Sequence, residues 1–155
     1  MIDHDPTDGT VTLWWHDVDR PTLIPGSAQV ETVDEAVADT LGFDVVRRRS
    51  GGGLVVATPT NGLWLDVALP RGHPRWDDDV NRAFLWLGEA WANAIATIDY
   101  SKGHPVDAIV HRSRPVDRHL GRQLCFAGLS TGEVSVAGQK VVGLSQRRSR
   151  TLARF

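Results

Sequence analysis

Three arginines and a serine run straight into three glycines at Arg47-Arg48-Arg49-Ser50-Gly51-Gly52-Gly53, between Val45-Val46 and Leu54-Val55-Val56. Three consecutive glycines weaken any regular element, so the chain must turn here, with an extended segment on either side. Without Cβ atoms the backbone reaches positive φ, and a ligand can approach the main chain closely. Successive N–H groups in such a turn can form a nest for an anion. Arginine adds fixed positive charge and forked donors that match carboxylate or phosphate. No Gly-Lys-Ser/Thr follows, so this is not a Walker loop, and it is not a G-x-G-x-x-G fingerprint. Taken alone, the loop reads as an anion cradle or as a glycine-rich hairpin with solvated arginines.

The rest of the composition bounds the setting. With 155 residues, the chain has enough length for one domain with a core. A net charge of −2 gives no support to a nucleic-acid or membrane-surface role. No apolar run approaches the roughly 18 residues that span a bilayer. The acidic start, Met1-Ile2-Asp3-His4-Asp5-Pro6, is unlike a secretory signal, and the single cysteine excludes an internal disulfide. Together these features point to the cytoplasm. Of the 17 basic residues only Lys102 and Lys140 are lysines, and arginine cannot replace a lysine that must act as a compact point charge.

Residues 11–16 read as a strand, and 21–29 as a short strand broken at Pro25-Gly26. Thr32 or Asp34 caps a helix over 33–41, with Val33, Ala36, Val37 and Leu41 on one face and Gly42 ending it. Phe43 to Arg48 and Leu54 to Ala57 are strands that enter and leave the glycine loop. Beyond the Asn61-Gly62 turn, Leu63, Leu65, Val67 and Leu69 alternate as in a half-buried strand. The spacing of Val80, Phe84, Leu87, Trp91 and Ile98 predicts a helix over 77–98, with Asp77-Asp78-Asp79 at its positive end. Residues 100–106 read as a polar loop, 107–111 as a short strand and 112–123 as a solvated loop. A hairpin follows, turning at Ala137-Gly138. The last residues, from Ser145 to Phe155, show no closing element.

Few residues outside the glycine loop could carry chemistry. Lys140 lies near the start of the second hairpin strand, where a rigid backbone could aim its ammonium at a ligand; it also reads as an ordinary surface lysine. Cys125, in Leu124-Cys125-Phe126, is a small buried hydrophobe or a nucleophile activated by a nearby cation. The six histidines show no metal-binding spacing, so no metal site is expected.

Ordered pieces of the chain resemble the biotin/lipoate protein ligase superfamily, and within it the lipoate–protein ligase A and octanoyl or lipoyl transferase type. Leu23-Ile24-Pro25-Gly26-Ser27-Ala28-Gln29 is similar to that family's early hydrophobic-Gly-x-x-Gln strand end. The Val46–Gly53 stretch resembles its V-R-R-x-S-G-G-G loop. The stretch from Glu133 to Arg148 resembles its hairpin, G-x-K-hydrophobic-x-G-x-(A/S)-Q-R-R. The similarity runs over roughly residues 11 to 155.

The resemblance implies an α+β fold, with a mixed, mostly antiparallel sheet flanked by helices, like the class II synthetase and biotin ligase core. It implies one catalytic domain over 1–155, incomplete at its C-terminus because the family's domain continues past the Q-R-R segment. By the same resemblance Arg47, Arg48, Ser50 and the backbone of Gly51, Gly52 and Gly53 would line an acyl and phosphate pocket, with Gln29 as a further lining residue. Lys140 would contact the acyl carbonyl. Cys125-Phe126 is similar to the C-F of octanoyltransferases that work through a cysteine thioester. The implied reaction attaches a lipoyl or octanoyl group to a lysine of a lipoyl carrier domain, in a 2-oxoacid dehydrogenase or the glycine cleavage H protein. A ligase would use ATP and Mg²⁺ to form an acyl-adenylate. A thioester transferase would need neither and would take the acyl group from acyl carrier protein, with Lys140 helping to stabilise the thiolate. The alternatives are a non-catalytic acyl- or nucleotide-binding relative and a biotin–protein ligase.

Overall fold

The computed structural model describes residues 9–29, 31–100, 106–116 and 118–155. The opening residues, Lys102 and most of the loop read over 100–106 lie outside the described residues. In chain order the elements are β1 (Thr12–His16), β2 (Thr22–Ile24), α1 (Glu35–Thr40), β3 (Asp44–Val45), β4 (Val55–Ala57), β5 (Trp64–Pro70), α2 (Leu85–Tyr100), β6 (Ala108–Val110), α3 (Arg118–Gln123), β7 (Val134–Val136), β8 (Gln139–Val142), β9 (Arg147–Arg148) and β10 (Leu152–Arg154). Single 3-10 turns lie at Arg82–Phe84 and Cys125–Ala127. This is the mixed, mostly antiparallel α+β class that the resemblance implies, with its strands in three sheets. The chain divides into two compact units, one of residues 1–76, 122–124 and 145–155 and the other of 77–121 and 125–144.

The first unit holds two sheets. One has the order β1-β5-β10-β9, all antiparallel. Its centre is β5, where Val67, Ala68, Leu69 and Pro70 are all buried. The alternation read over 63–69 therefore gives way to burial of consecutive residues, on both faces of the strand. The C-terminal stretch does contain closing strands, contrary to the sequence reading. Arg71 N–H bonds to Thr151 O at 2.7 Å, and Val67 and Phe155 exchange two bonds of 2.9 Å. A three-residue strand is too short to show a period, and its ladder with β5 defines it instead.

In the other sheet β2 lies between β3, to which it is parallel, and β4, to which it is antiparallel. The strands expected over 43–48 and 54–57 shrink to Asp44–Val45 and Val55–Ala57, and Leu54 instead bridges to Leu124. Of the two caps weighed for α1, Asp34 is the one used: its Oδ1 accepts the N–H groups of Ala36 and Val37. The face expected to be buried is not. Val37 and Leu41 are exposed, and Ala38 is the buried residue of α1.

The second unit sets α2 beside the sheet β6-β7-β8. The helix starts later than the pattern suggested, because the aspartates bond to backbone outside it. Asp79 Oδ1 accepts the N–H groups of Asn81 and Arg82 at 2.8 and 3.2 Å. The Asp77 carboxylate pairs with the Arg82 guanidinium and, by that hydrogen bond and its charge, raises the pKa of Arg82. The helix and the turn ahead of β7 approach so closely that a Cβ on Gly88 would lie 2.0 Å from Gly132 O. The segment 112–123, read as a loop, contains α3. The hairpin turn falls at Ala137-Gly138 as read, both with positive φ (49° and 76°), the pattern of a two-residue I′ connection.

Candidate functional site

The residues singled out from the sequence fall into two groups. Arg47, Arg48, Ser50, Gly51, Gly52, Gly53 and Gln29 belong to the first unit; Lys140 and Cys125 belong to the second.

In the first unit, Arg48 enters from the end of β3 and is only 4 % exposed. Its Nη1 donates to Ile24 O at 3.1 Å, its Nε and Nη2 to Gly51 O at 3.2 and 3.1 Å, and its Nη2 to Gly53 O at 2.7 Å. These carbonyl dipoles solvate a guanidinium that burial has taken from water. Because the peptide is planar and trans, holding Gly51 C=O toward Arg48 turns the Gly52 N–H away from it. The glycines are needed for this arrangement. Gly52 has φ of +103°, and a Cβ there would lie 2.7 Å from Arg48 Nη2. A Cβ on Gly26 would lie 2.0 Å from Gly52 O, so the Pro25-Gly26 break is where the β2 end meets the loop.

The other loop residues are also tied down. Ser50 Oγ lies 2.7 Å from Ser145 Oγ. Gln29 Oε1 accepts the Gly26 N–H, and its Nε2 donates to the carbonyls of Arg122 and Gln123 at 3.0 Å each. Arg47 pairs with Glu35 of α1 at 3.0 Å. Arg47 and Arg48 both line a cleft of about 260 Å³, along with Ile24, Val46, Trp64 and Asp44. His16 also lines it, and His16 Nε2 and Trp64 Nε1 each lie 3.2 Å from a carboxylate oxygen of Asp66. The cleft thus combines apolar walls with charged groups of both signs.

In the second unit, Lys140 is not the surface lysine that its strand position allowed. Its side chain is 5 % exposed. Nζ donates to Cys125 O at 2.6 Å and Gly128 O at 3.2 Å and pairs with Glu133 Oε1 at 2.7 Å. It also lies 3.8 Å from Cys125 Sγ and 5.2 Å from the centre of the Phe126 ring. Cys125 itself is half-buried, not sealed in a core. The pair expected from the resemblance is therefore brought together, as an ammonium beside a thiol.

Two residues within the quoted motifs had not been singled out. Glu133, 3 % exposed, is the counterion of Lys140. Its signal was an acidic residue leading directly into an apolar strand, where a carboxylate needs a partner. Gln146 buries both its amide oxygen and nitrogen without a hydrogen-bond partner among the described residues. The described residues hold no cluster of three or more His, Cys, Asp or Glu side chains that could bind a metal ion, and no helix long and apolar enough to cross a membrane.

The fold and the motif-bearing loops are those of the biotin/lipoate protein ligase superfamily. Residues 2–153 match the family described as Lipoyl protein ligase A/B catalytic domain, and the chain belongs to that family. Among solved structures, it is similar to that of protein Ta0514 from T. acidophilum with bound lipoic acid. There the TM-score is 0.65 at 18% identity, covering 93% of this chain and 51% of that one. The structure of the same protein described without lipoic acid gives 0.66 at 19%, covering 93% and 52%. A lipoate-protein ligase A bound with ATP gives 0.64 at 19%, covering 93% and 50%. This chain therefore spans about half the length of these relatives. A comparison with curated proteins returns no match.

Proposed function

We propose that this chain is an acyltransferase that attaches a lipoyl or octanoyl group to a lysine of a lipoyl carrier domain, through a thioester on Cys125. The observation that carries the reading is the 3.8 Å approach of the Lys140 ammonium to a half-buried Cys125 sulfur. A fixed cation at that distance stabilises negative charge on sulfur and on the carbonyl oxygen that the sulfur attacks. The acceptors are the carrier domains of 2-oxoacid dehydrogenases and the glycine cleavage H protein.

In the first step, Cys125 Sγ bonds to the carbonyl carbon of an acyl carrier protein thioester. The donor's C–S bond breaks, and the donor thiol leaves with the proton that Cys125 gave up. In the second step, the neutral amine of the acceptor lysine attacks the same carbon. The bond to Cys125 breaks, an amide forms, and the amine proton returns to the thiol. Lys140 meets the acyl carbonyl by exchanging one of its two backbone acceptors, Cys125 O or Gly128 O, for the substrate oxygen.

The ATP-bound relative favours a second route. There lipoate or octanoate would first form an acyl-adenylate with ATP and Mg²⁺, with the loop N–H groups and Arg47 facing phosphate.

Intact-protein mass spectrometry after incubation with octanoyl-acyl carrier protein separates the two. The thioester route gives a hydroxylamine-sensitive octanoyl adduct that Cys125→Ser abolishes. Acylation of a lipoyl domain only with octanoate and ATP, undiminished in Cys125→Ser, would replace it with the adenylate route. No acylation under either condition would overturn the enzymatic reading.

A further inference from the structure

The buried carboxylate of Glu133 has no part in the chemistry above, yet three groups hold it. Its Oε2 accepts the Ser130 N–H at 2.7 Å, and its Oε1 accepts the Leu144 N–H at 3.2 Å and faces Lys140 Nζ at 2.7 Å. Its own backbone is pinned: Glu133 N–H bonds to Ser130 O, and Glu133 O accepts the His111 N–H at 2.8 Å. The carboxylate thus has little freedom to move, and the ammonium it holds has little more.

We infer that Glu133 is a positioning residue that aims the Lys140 ammonium at Cys125 and at the incoming acyl carbonyl. This rests on reading Lys140 as the group that meets that carbonyl. Lys140 has three N–H donors, and the structure uses them on one carboxylate and two backbone carbonyls. All three contacts are charge-assisted through the ammonium, but only Glu133 adds the attraction of a full opposite charge. When substrate arrives, the carbonyl contacts are the ones exchanged and the Glu133 contact persists. A lysine carries several freely rotating bonds, so without this anchor its head group would spread over many positions. Misplacement of a reacting group by about 1 Å can lower turnover up to 100-fold.

The test compares Glu133→Gln, Glu133→Asp, Lys140→Met and Glu133→Gln combined with Lys140→Met in the full chain. Octanoyl transfer to a lipoyl domain is assayed with octanoyl-acyl carrier protein and, separately, with octanoate and ATP. Cys125 alkylation by iodoacetamide is followed alongside. We expect Glu133→Gln to lower kcat about tenfold or more with KM changed less than about twofold. Glu133→Asp, which withdraws the carboxylate by one methylene, should lower kcat about threefold and keeps the test open if the glutamine variant does not fold. Alkylation should slow toward the Lys140→Met rate in both variants, and Glu133→Gln should add nothing in the Lys140→Met background. A merely structural role would not produce that last result. Unchanged kcat in the folded Asp variant, faster alkylation on loss of the carboxylate, or an equal effect with and without Lys140 would overturn the inference. An active wild type with unaffected Glu133 variants removes this inference alone. A wild type inactive with both donors removes the proposed function and this inference with it.

Discussion

Arg47 and Arg48 are neighbours in one motif with opposite structural weight. Arg48 spends its donors on three carbonyls from two segments while almost wholly buried. Arg47 makes an ion pair whose partners are each more than a third exposed. We expect Arg48→Lys to lower stability by about 2 kcal/mol or more, because an ammonium cannot reproduce the planar fork and leaves buried carbonyls unpaired. Arg47→Lys should change stability by no more than about 0.5 kcal/mol, as for other solvated pairs. Urea titrations of the two variants check this, and equal shifts in midpoint would refute it. The sequence announced that arginine mattered here but not which one, because Arg47 and Arg48 lie beyond β3, in irregular backbone where no alternation assigns a face. The Lys140–Cys125 encounter was legible only through the resemblance. Spacing alone left both residues with ordinary alternatives.

Among the elements, α1 does more than its six residues suggest. It holds Glu35 opposite Arg47, so the helix is tied to the segment entering the glycine loop. Such a short helix is marginal on its own and depends on its cap. Asp34 accepts two N–H groups of the first turn, and we expect Asp34→Ala to destabilise the protein by about 1 kcal/mol. Hydrogen exchange should then quicken at Ala38 and Leu41, whose N–H groups bond within α1. Unchanged exchange at those amides would show that tertiary contacts, not the cap, hold the helix. The elements with strong local chemistry were readable in advance: a cap at Thr32 or Asp34, the stop at Gly42, the hairpin turn at Ala137-Gly138. The errors share a cause. β9 and β10 are two- and three-residue strands defined by partners across the sheet, and α3 carries too few apolar residues to show a period. The start of α2 moved because Asp77 and Asp79 take up backbone N–H groups ahead of it.

At the scale of the whole molecule, the net charge of −2 and sequence pI near 6.3 leave little repulsion between copies at neutral pH. The surface adds to the hazard. β1 is an end strand of its four-stranded sheet, and Leu13 and Trp15, both more than half exposed, project from the same side of it. An exposed strand edge with apolar side chains and no lysine or proline is a template for association. We expect solubility to pass through a minimum near the pI and to be poor already at pH 7. Trp15→Glu takes the net charge to −3, removes the largest exposed apolar side chain of β1 and moves the minimum to lower pH. Its effect on stability should stay within about 1 kcal/mol, the span of strand propensity at an exposed site. Precipitant titrations followed by light scattering from pH 5 to 8 make the comparison. If the variant precipitates at the same concentration as the wild type at pH 7, neither the charge nor the strand edge governs association, and the solubility of this chain is set elsewhere on its surface.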